Sequence, residues 1–232
     1  YRELGDPEVW ANMHLEVARI LDGTGHADLA HRYARKALEL SDSLAVPSLR
    51  MDALSTMGSV LRSLGDNVNA LSLFHRSLDI AEATGPERTP IILLDIAAIQ
   101  SLAGIKDSAL ANYSKALHLL KAAGDRQWVN AAGNIAILRT DMGSAEAGWQ
   151  EAKDALLEAG GQDLYTATLH YAQGYALNPL GRYKEASQQA TTALRILRSC
   201  GCSTELQVQS LVELGRARMK LGRNKEALAD AE

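Results

Sequence analysis

A chain of 232 residues with 47% hydrophobic composition and a net charge of −4 is long enough to bury a sizeable core, and its charge fraction is ordinary for a soluble protein. Aromatics are scarce, at 5% with a single Phe, while Ala and Leu abound, which favours helices with small-residue contacts over a β-sandwich. The mild acidity argues against direct nucleic-acid binding, no apolar run approaches the ~18–20 residues of a membrane span, and two cysteines make no disulfide framework.

A glycine recurs along the chain at Gly25, Gly65, Gly104, Gly143, Gly181 and Gly222, at spacings of 40, 39, 39, 38 and 41. In chain order, the first predicted helix begins near Trp10, carries Ala18 and ends at the Gly25 turn. Its partner carries Ala30, Ala37 and Leu38. The second pair has Leu54, Met57, Gly58 and Leu61 on one face before Gly65, then Ala70, Ser77 and Leu78, and stops at Gly85. The third has Ala97 before Gly104, then Ala109, Ala116 and Leu117, and stops at Gly124. The fourth begins at Trp128, has Ala136 before Gly143, then Gly148, Trp149, Ala155 and Leu156, and stops at Gly160. The fifth has Gly174 before Gly181, then Ala186, Ala193 and Leu194, and stops at Gly201. The sixth has Gly215 before Gly222, then Ala227.

Small residues thus stand seven before and five after every marker glycine. The offsets of 5, 9, 12 and 13 after it, and of 11, 8, 7 and 4 before it, each lie on one helical face. The spacing predicts about twelve antiparallel helices and no β-sheet. Each marker glycine supplies the left-handed turn that ends the first helix of a pair. The small residues let paired axes approach. One pair cannot bury its apolar stripe alone, so neighbouring pairs must stack.

The segments "GSVLRSLGDNVNALSLFHRSL", "GYALNPLGRYKEASQQATTAL" and "GRARMKLGRNKEALADAE" resemble the tetratricopeptide repeat, in which a small residue is followed seven on by Gly and then by spaced Ala and aromatic positions. The resemblance covers nearly the whole chain, as a single array of six units. The period of about 39 exceeds the 34 of the short form. It is similar to the longer-helix variety of kinesin light chains, partner-of-polarity scaffolds and bacterial regulators. HEAT-type repeats have a comparable period, about 40–47, but lack the glycine-centred small residues. "YRELGD" at Tyr1–Asp6 matches the tail of the second helix of a pair, and "EALADAE" stops inside another. The chain is therefore expected to be part of a longer protein.

A search for chemistry finds no phosphate loop, no Gly-x-Ser-x-Gly and no His-Glu-x-x-His. No catalytic residue, cofactor site or metal site is predicted. "GTGH" at Gly23–His26 reads as a turn. "CGC" at Cys200–Cys202 has the wrong spacing for zinc and reads as a helix terminus. His14 and His170 occupy the register of Leu54 and read as half-buried packing residues. Trp10, Trp128 and Trp149 read as packing between repeats. Asp52 with Arg62, and Glu213 with Arg216, read as solvated surface pairs.

The resemblance implies that the first helix of each pair lines a concave face. The exposed positions are then those 13, 10, 6 and 3 before each marker glycine. They give Asn12, Leu15, Arg19 and Asp22 in the first unit and Asp52, Ser55, Ser59 and Arg62 in the second. Ile91, Leu94, Ile137, Tyr171 and Tyr175 would form an apolar strip, with Arg19, Arg62 and Arg216 at its margins. Such a floor suits a peptide or helix in a groove. The alternative is that curvature buries these residues between neighbours. Asn134 resembles one asparagine of the carboxylate clamp of chaperone-tail-binding members, but its partners are missing. The expected function is a non-catalytic, cytoplasmic protein- or peptide-binding scaffold, with neither nucleic acid nor membrane as partner. The rival is a regulatory segment of a signalling protein, a transcription regulator or nucleotide cyclase, whose output domain lies elsewhere.

Overall fold

The computed structural model describes residues 6–201 and 203–229. Among them are twelve α-helices and no strand. The first helices of successive pairs are α1 (Pro7–Gly23), α3 (Pro47–Ser63), α5 (Thr89–Leu102), α7 (Trp128–Asp141), α9 (Leu164–Leu177) and α11 (Thr204–Lys220). Their partners are α2 (Ala27–Leu44), α4 (Asn67–Thr84), α6 (Lys106–Ala123), α8 (Ala145–Ala159), α10 (Tyr183–Cys200) and α12 (Asn224–Ala229). The fold is the all-α helix-pair repeat that the spacing predicts.

All six marker glycines take positive φ, between 73° and 86°. Each makes the same pair of turn bonds. At Gly65, its amide reaches Arg62 O at 2.9 Å, and the next amide, Asp66 N, reaches Leu61 O at 2.8 Å. This closes the last carbonyls of the first helix and reverses the chain in three residues. Gly124, Gly160 and Gly201 also take positive φ. Gly85 differs: its φ is −155°, and the chain continues into a single 3-10 turn at Pro86–Arg88. The predicted tail of an earlier helix falls on residues 1–5, outside the described residues, as does Cys202.

Helix starts follow local chemistry. Asp6 caps α1 ahead of Pro7, and Asp66 caps α4. Asp163 and Thr166 form a reciprocal capping box on α9.

The chain divides into two compact units, Tyr1–Asn112 and Tyr113–Glu232. In the first, Ala18, Ala30, Ala34, Met57 and Val60 form one cluster, and Phe74, Ile92, Ile96 and Ile99 form another. The Phe74 ring fills the space a side chain would need at Gly58, 3.0 Å from where its Cβ would stand. Ser77 replaces the usual alanine and stays satisfied, donating to Met51 O at 2.9 Å. In the second unit, Val129, Ala132, Ala136, Ala152 and Leu169 form the largest cluster, with Trp128 packed against it. Among the described residues no helix is long and apolar enough to cross a membrane.

Candidate binding cleft

The first helices of the first unit bring α1, α3 and the start of α5 around a cleft of about 360 Å³. Its apolar wall is Met51, Val60, Ile91 and Ile92. Its polar groups are Arg19, Asp22, Asp52, Ser55, Thr56, Ser59, Arg88 and Asp95. Arg19 donates from Nη1 to Glu16 at 2.6 Å and from Nε to Thr56 Oγ1 at 3.3 Å. Arg88 donates to Asp52 Oδ1 at 2.6 Å. Among the described residues no donor reaches the carboxylates of Asp22 and Asp95, and Asp22 Oδ1 is fully enclosed. Burial pushes the Asp95 carboxyl up to about 6, against the pull of the Arg62 guanidinium. Arg62 Nε is itself enclosed without an acceptor.

The second unit presents a different surface on its first helices. Tyr175 donates to Asp141 Oδ1 at 2.5 Å. Asn178 donates to Glu213 Oε2 at 2.7 Å, and Arg216 donates to Glu213 Oε1 at 2.8 Å. Burial raises the Glu213 and Tyr171 pKa values, the latter to about 12, and raises that of Tyr175 further with help from its bond to Asp141. The carboxylates of Asp141 and Glu213 are thus partnered within the chain, whereas Gln173 Nε2, Asn178 Oδ1 and Ser210 Oγ are enclosed without a hydrogen bond.

The predicted face needs one correction. Positions 13, 6 and 3 before the glycines are half-exposed or exposed, but position 10 is buried at Leu15, Gly133 and Tyr171. Tyr171 is 9% exposed, so it belongs to the core. Its ring lies 6.0 Å from that of Tyr175, one turn on along α9. Ile91, Leu94, Ile137, Asn134 and Tyr175 are half-buried, and Arg19 and Arg216 are exposed. Ile91 shares the first unit's cleft with Arg19, and Arg62 stands beside Asp95. Ile137, Asn134, Tyr171, Tyr175 and Arg216 lie in the second unit.

The expected ion pairs also change. Asp52 pairs with Arg88 rather than Arg62, because the 3-10 turn after Gly85 swings Arg88 over α3. Glu213 pairs with Arg216 as expected but is only 3% exposed, so only the Arg216 end of the pair is solvated. His14 and His170 are half-buried and Trp128 and Trp149 pack against neighbouring pairs as predicted, whereas the ring contacts of Trp10 and His14 stay within the first pair. His14 packs edge-on against Trp10 and Tyr33, and His170 contacts Gln189 at 2.6 Å. Lys121 covers Trp128 at 4.3 Å, and Arg182 covers Trp149 at 4.1 Å.

Asp95 and Arg88 were not foreseen. Asp95 is the one charged residue of α5, in "TPIILLDIAAIQSL", and a lone charge in an apolar helix is a signal of that kind. Arg88 depends on the unforeseen 3-10 turn. Among the described residues no three His, Cys, Asp or Glu side chains are placed to hold a metal ion.

Residues 49–122 match the family profile described as tetratricopeptide repeat. That segment carries tetratricopeptide repeats. No curated protein matches it at a significant level, but solved structures share the tetratricopeptide-like architecture. The quorum sensor NprR from B. thuringiensis aligns at a TM-score of 0.72 and 16% identity, over 99% of this chain and 65% of NprR. NprR in complex with its cognate peptide NprX gives 0.75 and 17%, over 98% of this chain and 66% of that one. Aspartyl phosphate phosphatase F from Bacillus subtilis gives 0.77 and 15%, over 98% and 59%. A signal-transduction ATPase with a tetratricopeptide repeat sensor, from Pyrococcus horikoshii, gives 0.69 and 15%, over 98% and 36%. The chain spans less than two thirds of each of these relatives. At these identities the likeness establishes the repeat fold alone.

Proposed function

We propose that this chain is a non-catalytic module that binds a peptide, or an extended segment of a protein, on the first helices of its repeats. The cleft lined by Arg19, Asp22, Ser59, Ile91 and Asp95 is its anchor, with Leu94 and Arg62 beside it. The observation that carries this reading is the cleft itself: a concave site with an apolar wall and charged groups left without partners. Such groups are costly in a folded chain and are commonly completed by a ligand. The NprR–NprX complex supports the reading, because a chain of the same fold is solved there with its cognate peptide.

A second reading, a sensory segment within a longer signalling protein, is favoured by one observation. The chain matches only part of relatives described as a quorum sensor and as carrying a repeat sensor. The two readings are compatible, since a sensor of this kind works by binding.

The test is selection of heptapeptides from a displayed library on the purified chain. Enriched peptides should bind in the micromolar range. Ser59→Trp, which fills the cleft, should weaken them at least tenfold while helical circular dichroism is retained. An empty selection, or binding indifferent to Ser59→Trp, would refute the anchor.

A further inference from the structure

We infer that the cleft of the first unit receives a basic side chain, lysine or arginine, from its peptide. The aliphatic stem lies on Met51, Ile91 and Ile92, and the charged head faces Asp95 and Asp22. This inference rests on the peptide reading above and adds the chemistry of the residue that fills the site.

The argument is one of which groups are already spoken for. The cleft is lined by two arginines and three aspartates. Both arginines are engaged: Arg19 with Glu16 and Thr56, Arg88 with Asp52. Asp52 is thereby engaged too. What remains is the pair of carboxylates of Asp95 and Asp22, which line the cleft with no donor among the described residues, Asp22 Oδ1 being enclosed. Arg62 is the remaining charge nearby. It acts on Asp95 through its field, makes no hydrogen bond to it, and does not line the cleft. The vacancy is therefore one for N–H donors and positive charge.

A carboxylate enclosed without a donor is among the least favourable groups a protein can keep. A guanidinium or ammonium supplies the missing donors and charge at once. The apolar wall fits the same ligand, because lysine and arginine bury their methylene stems on apolar surface while the head stays with polar groups. An acidic or purely apolar side chain would leave Asp95 and Asp22 uncompensated.

Three pools of dye-labelled random heptapeptides test this, with the central residue fixed as arginine, as citrulline or as glutamate. Citrulline keeps the shape of arginine and removes the charge. Fluorescence anisotropy should show the arginine pool binding at least tenfold more tightly than the citrulline pool, with the glutamate pool weakest. In the double variant Asp22→Asn, Asp95→Asn, the arginine pool should fall to the level of the citrulline pool. Equal binding of the arginine and citrulline pools to the unaltered chain overturns the inference, whatever the variant does. So does an arginine preference that survives in the folded variant, or a preference for glutamate, which would make Arg62 the anchor. If all three pools fail to bind, the peptide reading itself falls, an outcome distinct from binding without charge preference.

Discussion

Asp95 weakens the fold that holds it. Its carboxyl ionises near 3.8 in an unfolded chain and near 6 in the folded one, because burial disfavours the charge more than Arg62 favours it. The folded state thus holds this proton more tightly than the unfolded state. Below about pH 3.8 both states are protonated and there is no penalty. The penalty grows as pH rises through the interval and is complete above about pH 6. A shift of this size corresponds to something on the order of 2–3 kcal/mol. Asp95→Asn should therefore raise the melting temperature at about pH 7.5 and leave it nearly unchanged at about pH 3.5. Melting curves at the two pH values check this. A variant no more stable at the higher pH would mean that the ionised carboxyl is already compensated. A residue that lowers stability in a cleft is a signature of use rather than of packing.

At the scale of the helix pair, stability turns on how closely two axes approach. Gly148 on α8 has no room for even one carbon: a Cβ there would fall on the carbonyl oxygen of Ala136 and the hydroxyl of Thr140 on α7. That hydroxyl donates back to Ala136 O at 2.9 Å, so neither atom is free to swing away. Gly215 on α11 holds an equivalent register to Ala136, seven before its marker glycine, yet a Cβ there meets nothing within 4 Å. The same substitution should act with opposite sign. Gly148→Ala should cost roughly 1–2 kcal/mol, as overpacking outweighs better helix propensity. Gly215→Ala should gain up to about 1 kcal/mol from propensity alone. Urea denaturation of both variants decides it, and two changes of like sign would contradict the contact. The pairs themselves were legible from sequence because turn glycines and close contacts constrain residue type directly. Burial at position ten was not legible. There the same offset holds Leu15, Ser55, Gly133 and Tyr171, and whether a side chain turns inward depends on the neighbouring helix. The cleft was half legible: Arg19, Asp22, Asp52, Ser55, Ser59 and Ile91 follow from the repeat register. Asp95 sits nine before Gly104, off that register, and Arg88 is placed by a turn particular to one connection.

Over the whole molecule the two units differ in the state of particular carboxylates on their first helices. The first helices of the Tyr1–Asn112 unit leave Asp22 and Asp95 open, whereas those of the Tyr113–Glu232 unit close Tyr175 onto Asp141 and Glu213 onto Asn178 and Arg216. Closed networks stiffen a surface, and open groups await a partner. If the first unit holds the anchor, as proposed, Tyr175 serves the fold rather than the ligand. Tyr175→Phe keeps the ring and deletes the donor to Asp141, so stability should fall by about 1 kcal/mol, the net worth of one such bond at a half-exposed site. Peptide affinity should stay within about twofold of the unaltered chain. The measurement is paired: a melting curve for the cost, and the anisotropy titration of a selected peptide for the affinity. An anchor spread over Ile137 and Tyr175 predicts otherwise, because a hydroxyl at a contact centre would carry a tenfold or greater loss, about 1.4 kcal/mol. A tenfold loss of affinity with unchanged melting would move the binding surface to the second unit. A lower melting point with unchanged affinity would leave Asp22 and Asp95 as the groups on which recognition rests.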